Sequence, residues 1–314
     1  MCFMKRNICT IVSVLLLCCM LFACGTPAPE PAPEPTGAPS VSAAETEVTA
    51  EAAATQASAE PSAPEPTPAS TVLPTPKPTV VPVSDEELNS GALDSFFDDS
   101  VLIGDSMTVG FSHFVSAKRK NGGVCLGSLK CIGRSGLFLK NAYQIEIGTR
   151  SAALSYRGRA YSVSDLVQVI GAKTLYLLLG VNDVYVYNNT VEDDISYFDE
   201  IIRNTREKSP DVQIVLITIP PVLKTYAKDF AYDSRYNIDV NEALYRYCRE
   251  NGFGIVELAA RLRGEDGYLN RSYCSDDQFH LNLEGDALWL AALREYARTQ
   301  YESGAWIPEE TPES

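Results

Sequence analysis

The fold class that the sequence predicts is α/β, with a parallel sheet covered by helices on both faces. Two observations predict it. Short apolar runs alternate along the chain with longer amphipathic segments, which is the pattern of repeated β-α-β units. The run 175–179 also contains five apolar residues in succession, as expected for a strand that is buried on both faces.

The predicted strands are five apolar runs, most of them followed by turn-forming residues. The first ends at Gly104, and a later one is stopped by Pro220-Pro221. Their expected positions are 101–103, 124–132, 175–179, 214–219 and 255–258. In open parallel sheets, sites form beyond the carboxyl ends of the strands, so the residues that follow these runs are candidates for a site.

Helices are predicted between the strands from capping residues and apolar periodicity. The first begins near Ser106, and the last spans 288–296. Ser164 and Thr190 precede periodic segments and can cap helices through their side-chain oxygens. A capping box that starts at Asp239 predicts a further helix. Candidate core positions on these helices are Val109, Phe114, Val115, Ile195, Phe198, Ile202, Leu244, Tyr247, Leu288, Ala292 and Tyr296.

The first 24 residues have the pattern of a targeting segment. Lys5 and Arg6 precede an apolar run over 8–22, which is short for a membrane-spanning helix of ~20 residues. The run closes on Cys24 and resembles a bacterial lipoprotein signal, in which the cysteine is lipidated and becomes the new N-terminus. We expect a lipid anchor at the extracytoplasmic face of the membrane. The alternatives, an uncleaved anchor and a simple secretory signal, also place the rest of the chain outside the cytoplasm.

Residues 25–84 are predicted to be a disordered linker. Fourteen of the nineteen prolines lie there among Ala, Thr, Ser and Glu, without an aromatic residue. Such a composition cannot bury enough apolar surface to offset the entropy lost on ordering. Aromatic residues, aliphatic runs and helix formers appear together over 85–306, which is long enough for one sizeable core. Residues 307–314 form an acidic tail.

Charge and cysteine content exclude some classes of function. Without Lys5 and Arg6 the chain carries 24 basic and 41 acidic groups, a net charge of −17. Such a balance makes nucleic acid an unexpected partner. The cysteines beyond the signal have no zinc-site spacing, and they are either buried thiols or members of up to two disulfides. They are Cys125, Cys131, Cys248 and Cys274.

Three predicted strand ends carry residues that can do chemistry. Gly104-Asp105-Ser106 places a hydroxyl where a strand turns into a helix, beside unpaired helix N–H groups. Gly133-Arg134-Ser135-Gly136 can bring backbone N–H groups close to a ligand. Gly180-Val181-Asn182-Asp183 adds an amide donor. Each motif alone is compatible with an ordinary cap or turn, but we expect the three to meet at one edge of the sheet.

A histidine with a nearby carboxylate precedes the last predicted helix. His280 follows Asp277 by three residues, a spacing that lets the carboxylate reach the imidazole and hold one tautomer. The other ring nitrogen would then be free to act as a base. His113, seven residues after Ser106, is expected on the surface of a helix.

Taken together, these motifs resemble the SGNH, or GDSL-type, hydrolase superfamily over roughly 101–296. Gly104-Asp105-Ser106 matches its first block, with Met107 where Leu is common. Gly136, rather than Gly133, matches the second-block glycine, while 180–183 and 277–280 match the third and fifth blocks. The resemblance implies a flavodoxin-like three-layer α/β/α sandwich. No G-x-S-x-G elbow occurs, which argues against an ordinary α/β-hydrolase.

The resemblance implies a serine esterase that needs no metal or organic cofactor. His280 would take the proton of Ser106 during attack on an ester carbonyl, and Asp277 would orient His280. The expected catalytic residues are Ser106, Asp277 and His280, the oxyanion hole is Ser106, Gly136 and Asn182, and the supporting residues are Asp105, Gly180 and Asp183.

The expected substrate is a small acyl ester, with O-acetyl groups on an envelope carbohydrate or peptidoglycan favoured. A lipid-anchored protein outside the cytoplasm meets such polymers first. The segment 137–162 is long and partly aromatic and could line the pocket. Alternatives are a lysophospholipase or thioesterase acting on longer acyl chains, an O-acyltransferase, and a non-catalytic envelope-binding module.

Overall fold

A parallel sheet organises the part of the chain that the computed structural model describes, residues 81–183, 189–229 and 234–308. The sheet contains five strands in the order β2-β1-β5-β6-β7, and β3 and β4 form a separate hairpin. The strands are β1 Ser100–Gly104, β2 Lys130–Gly133, β3 Leu154–Tyr156, β4 Arg159–Tyr161, β5 Thr174–Leu178, β6 Gln213–Ile217 and β7 Gly254–Val256. The expected signal over 1–24, nearly all of the linker and residues 309–314 lie outside the described residues.

Two sets of helices flank the sheet. In one set, α3, α4, α5 and α7 pack along one another, and in the other α9 contacts α1, α2 and α8. The helices are α1 Asp85–Ser90, α2 Ser106–Lys120, α3 Leu139–Glu146, α4 Val163–Ile170, α5 Val191–Lys208, α6 Lys224–Asp229, α7 Ser234–Asn251, α8 Ala259–Leu262 and α9 Leu283–Glu302. The predicted α/β class is therefore confirmed.

The interior of the sheet explains the continuous apolar runs. All five residues of β1 are buried, because β2 and β5 flank it and helices cover both faces. The parallel register places Ile103 beside Ile132 on one side and beside Leu177 on the other. As a result, Gly104, the last residue of β1, lies level with the ends of both neighbouring strands.

The structure differs from the predicted elements at three places. The predicted strand over 124–132 is paired only at Lys130–Gly133, since Leu126 and Gly127 have positive φ angles of 53° and 47° that break extended structure. Ser162, not Ser164, caps α4. Asp239 is no cap, because α7 begins five residues earlier.

The hairpin of β3 and β4 is an element that the sequence pattern did not reveal. Its strands have three residues each, too few for a clear alternation of apolar and polar positions.

Among the helices that the structure describes, none is both long and apolar enough to cross a bilayer.

Candidate active site

Ser106 lies where β1 meets α2. Asp105 caps the helix, and its Oδ1 accepts a hydrogen bond from the Met107 N–H at 2.9 Å. Ser106 is the first helical residue, so its own N–H has no acceptor within the helix. Its side chain is half-buried and stands at the carboxyl edge of the sheet, as predicted.

His280 reaches Ser106 across 174 positions of sequence. The Ser106 Oγ lies 2.8 Å from His280 Nε2, and His280 Nδ1 lies 2.5 Å from Asp276 Oδ2. An ionised carboxylate can only accept hydrogen bonds. We therefore assign the proton to Nδ1, which leaves Nε2 to accept the hydrogen bond that the Ser106 hydroxyl donates.

The predicted contact between Asp277 and His280 is wrong, because the adjacent residue Asp276 takes that position. The Asp277 side chain is 94% exposed and forms an ion pair with Arg271 at 3.1 Å. Asp276 is 34% exposed and lies four residues before the histidine. The chain folds into a tight loop here, so the carboxylate one position further away points at the ring.

The loop around Asp276 explains why this residue is the one that reaches His280. Asp276 Oδ1 accepts hydrogen bonds from the N–H groups of Gln278 and Phe279 at 2.8 and 3.1 Å. Cys274 Sγ, 3.4 Å away, donates to the same oxygen. Burial opposes ionisation of Asp276, but the bond from His280 and these further bonds outweigh it and lower its pKa.

A sequence signal for Asp276 does exist. An Asp that opens a short polar loop commonly bonds the N–H two residues on, and Asp276 does so with Gln278. Asp277 has no such bond and faces solvent. The spacing rule alone could not separate two consecutive aspartates.

Gly136 lies in a turn that directly follows β2, the strand paired with β1. The backbone of 134–137 turns, with the Leu137 N–H donating to the Arg134 carbonyl at 3.1 Å. Gly136 is the third residue of this turn and has a φ of +69°, a value that favours glycine there. A Cβ at Gly136 would meet nothing within 4 Å, so this side of the site is open.

Gly133, the weaker candidate in the sequence, has a packing role. A Cβ added there would lie 2.6 Å from the Asp105 carbonyl and 2.7 Å from the Val109 nitrogen. Glycine at this position lets β2 approach the start of α2 closely. The preference for Gly136 over Gly133 thus agrees with the space around each.

Asn182 is the third predicted oxyanion donor, and its amide lies in the same region. Its Nδ2 donates to the Leu137 carbonyl at 3.2 Å and to Asp105 Oδ2 at 3.3 Å. The amide is therefore tied both to the helix cap next to Ser106 and to the residue after Gly136. These two bonds link the three strand ends that carry the site.

Two buried carboxyl groups brace this arrangement. Asp183 accepts hydrogen bonds from the N–H groups of Leu139 and Lys140 at 2.6 and 2.8 Å, which holds the start of α3. Burial raises the pKa of Asp183 to about 7, although these two amides lower it. Burial likewise raises the pKa of Asp105 to about 7, the Met107 amide opposes this shift, and the charge of Asp183 adds to it. Gly180 has a φ of +116°, and its carbonyl oxygen accepts a hydrogen bond from the Asp183 N–H.

Comparison with known proteins identifies the family. Residues 102–288 match the GDSL-like lipase/acylhydrolase family, and this match spans more than half of the 314 residues. The chain belongs to that family. As a GDSL-like acylhydrolase it is a hydrolase of ester bonds. No curated protein matches the chain.

Solved structures are similar to this GDSL-like hydrolase in fold. A proposed acylhydrolase from Bacteroides fragilis NCTC 9343 has 14% identity and a TM-score of 0.50, with 64% of this chain and 87% of that chain covered. A GDSL-like lipase from Bacteroides thetaiotaomicron VPI-5482 has 16% identity, a TM-score of 0.49 and the same coverages. A carbohydrate esterase family 3 protein from Talaromyces cellulolyticus has 18% identity, a TM-score of 0.44, and coverages of 65% and 98%. The first of these supports the α/β fold.

The remaining candidate residues of this GDSL-like hydrolase lie away from the site or have other roles. His113 is exposed on α2, as predicted. The four cysteines of the described region are free thiols. Within residues 81–183, 189–229 and 234–308, no group of three or more His, Cys, Asp or Glu is arranged to hold a metal ion.

Proposed function

We propose that this hydrolase removes small acyl groups, above all O-acetyl groups, from a carbohydrate or peptidoglycan of the cell envelope, with Ser106 as nucleophile. The observation that carries the proposal is the continuous hydrogen-bonded chain from Ser106 Oγ through His280 to Asp276, with bonds of 2.8 and 2.5 Å. Nucleophile, base and orienting carboxylate in this order are the elements of acyl transfer to serine.

In the proposed mechanism, His280 Nε2 takes the proton of Ser106 as the serine oxygen attacks the ester carbon. Asp276 keeps the imidazole in the productive tautomer and stabilises the imidazolium that forms. His280 then gives the proton to the departing alcohol of the sugar. Water, activated by the same nitrogen, attacks the acyl-enzyme and releases acetate together with free Ser106.

The negative charge on the substrate oxygen would be stabilised by the N–H groups of Ser106 and Gly136 and by the Asn182 amide. Both Nδ2 hydrogens of Asn182 have acceptors without substrate, Leu137 and Asp105. The oxyanion would therefore compete with the longer of these bonds, to Asp105 at 3.3 Å. A donor of this kind is typically worth ~3 kcal/mol of barrier.

The substrate class is supported by the sequence before residue 85 and by the openness of the site. A lipid on Cys24 and a Pro-rich spacer over 25–84 would hold the domain outside the cytoplasm, near envelope polymers. Gly136 borders open space, so an ester carried on a polymer can approach the oxyanion hole from outside. A short acyl group suits a site at the surface.

The test combines a nucleophile variant with defined esters. Purified protein should label with a fluorophosphonate probe and release acetate from O-acetylated peptidoglycan, whereas Ser106→Ala should do neither, at an unchanged melting temperature. Rates on p-nitrophenyl esters should fall steeply beyond acetate. Labelling of Ser106→Ala at the wild-type level would remove Ser106 from the mechanism, and faster hydrolysis of octanoate than of acetate would instead favour a lipid ester.

A further inference from the structure

The segment that carries Gly136 is basic in an acidic protein. Five basic residues and one acidic residue lie between 134 and 159, whereas the whole chain has a net charge of −15. The one acidic residue, Glu146, is only partly exposed, and its carboxylate accepts hydrogen bonds from the Ser164 N–H and hydroxyl. The local charge is therefore opposite in sign to that of the rest of the chain.

Four of these basic residues, which we name the arginine face, are exposed: Arg134, Arg150, Arg157 and Arg159. None of the four has a carboxylate within ion-pair distance among the described residues. Some exposed cations elsewhere on the surface are paired with a carboxylate, as are Lys173 with Asp99 and Lys208 with Asp165. Lys140 is left out of the face because Asp193 lies within its electrostatic reach.

The arginine face adjoins the active site through its backbone. The Arg134 N–H donates to the Gly104 carbonyl at 3.1 Å, two residues before Ser106. The same arginine is the first residue of the turn that holds Gly136. The exposed Arg134 therefore lies next to the strand end that leads to Ser106.

The hairpin extends the arginine face beyond the edge strand β2. Leu154 and Tyr161 line a small pocket together with Leu137, so the hairpin packs beside the Gly136 turn. Cross-strand pairing joins Tyr156 to Arg159 and Leu154 to Tyr161. Because side chains alternate along a strand, Arg159 lies on the same side of the hairpin as the residues that pack toward that turn.

The tip of the hairpin has an unusual residue. Arg157 and Gly158 form the two-residue turn with φ angles of +48° and +76°. Asparagine or glycine adopts this left-handed conformation with less strain than arginine does. Folding alone does not require a cation at this position, and the Arg157 side chain remains exposed with its guanidinium over the Tyr156 ring.

From these observations we propose that the natural substrate is an anionic polymer, whose carboxylate or phosphate groups bind the arginine face while its acyl ester enters the site. Guanidinium groups bind both kinds of anion through paired N–H donors. A negatively charged enzyme repels such a polymer overall, and a local basic face beside the site directs it to the productive approach. The proposal rests on the proposed function and specifies its substrate class.

The experiment uses three O-acetylated polymers that share one backbone: dextran, carboxymethyl-dextran and dextran phosphate. Acetate release by the full-length protein is measured at low and at high salt and divided by the rate on p-nitrophenyl acetate. We expect kcat/KM at low salt to be about tenfold higher on a charged polymer than on dextran. The advantage should shrink at high salt, where exposed charges are screened. Whichever charged polymer is preferred identifies carboxylate or phosphate as the recognised group.

A matched pair of variants locates the effect. The double variant Arg157→Gln with Arg159→Gln should show a preference for the charged polymer over dextran that is about fivefold smaller than that of wild type. Arg246→Gln with Arg249→Gln, the control, changes the net charge equally on α7, which packs against β7 at the opposite edge of the sheet. The proposal is overturned if dextran is used as well as the charged polymers, or if both double variants lose the preference equally.

Failure of the proposed function can be separated from failure of this inference. If the protein releases acetate from none of the polymers, the arginine face is tested by measuring how the unacetylated polymers bind to Ser106→Ala. Salt-sensitive binding of a charged polymer that falls in Arg157→Gln with Arg159→Gln supports the arginine face. Equal binding of charged and neutral dextran contradicts it, and so does equally tight binding of a DNA duplex, which would show unselective attraction of anions.

Discussion

At the scale of single residues, the site depends on which of two consecutive carboxylates faces the imidazole. Asp276 bonds His280 Nδ1 and three backbone N–H groups of its own loop. Asp277 points outward to Arg271. The difference arises from loop geometry, because an aspartate that caps the N–H groups after it is held rigidly, whereas an exposed ion pair has little orienting power.

Replacing each aspartate in turn separates the two roles. Asp276→Asn should lower kcat by about 10⁴-fold, since an amide in place of the carboxylate favours the wrong histidine tautomer. Asp277→Asn, the matched control, should stay within about twofold of wild type, because it removes only an exposed ion pair. The measurement is steady-state hydrolysis of p-nitrophenyl acetate. A larger loss in Asp277→Asn than in Asp276→Asn would reverse the assignment.

At the scale of elements, the first and last long helices bring the proposed catalytic residues Ser106 and His280 together. Ser106 opens α2, and His280 lies three residues before the start of α9. The two helices are joined in the core, where the Phe111 and Trp289 rings stack at a centroid distance of 4.3 Å. Gly285 lets the start of α9 pack closely against the preceding loop, because a Cβ at this position would lie only 2.7 Å from the Tyr273 carbonyl oxygen.

The same helix α9 also holds the segment before β1. Arg294 forms a buried bidentate pair with Asp94, with bonds of 2.9 and 2.7 Å. Asp94 also accepts from the Leu126 N–H at 2.8 Å. One carboxylate thus connects α9, the segment that enters β1 and the loop that leads to β2.

Removing the buried arginine tests this connection. Arg294→Met should lower the free energy of unfolding by about 3–5 kcal/mol, because it leaves the charge of Asp94 buried without its partner. The control is Arg298→Met one turn later, which breaks ion pairs with two carboxylates, the exposed Asp85 and the partly exposed Glu295. It should cost no more than ~1 kcal/mol. Urea denaturation gives both values. Equal losses would mean that the Arg294 pair acts only through packing.

At the scale of the whole molecule, three buried carboxyl groups make stability depend on pH. Burial raises the pKa of Asp105, Asp183 and Asp286 to about 7, from 3.8. Between pH 4 and 7 the folded chain therefore holds protons that the unfolded chain has lost. The free energy of unfolding should fall as the pH rises through this window. Above pH 7 these groups should change it little further. Carboxyl groups whose pKa is lowered in the folded chain, such as Asp276, stabilise the fold above pH 4. This stabilisation is lost as the pH falls below 4.

The pH dependence can be measured with a variant outside the catalytic residues. Wild-type protein should melt at a higher temperature at pH 5 than at pH 8. Asp286→Asn removes one buried titrating group, so it should melt several degrees higher than wild type at pH 8 and close to wild type at pH 5. Calorimetry at both pH values checks this. An unchanged difference between the two pH values in Asp286→Asn would exclude Asp286 as a source.

The sequence by itself determined the α/β class, the five strands and the positions of Ser106, Gly136, Asn182 and His280. These are local properties, since apolar runs mark buried strands and the site residues directly follow strands or precede a helix. Only the tertiary structure decided that Asp276 rather than Asp277 bonds His280, that 154–161 forms a hairpin and that this hairpin, which carries Arg157 and Arg159, packs beside the Gly136 turn. The reason is physical: which carboxylate reaches a ring, and which distant cations share a face, depends on how loops pack on a sheet and not on spacing along the chain.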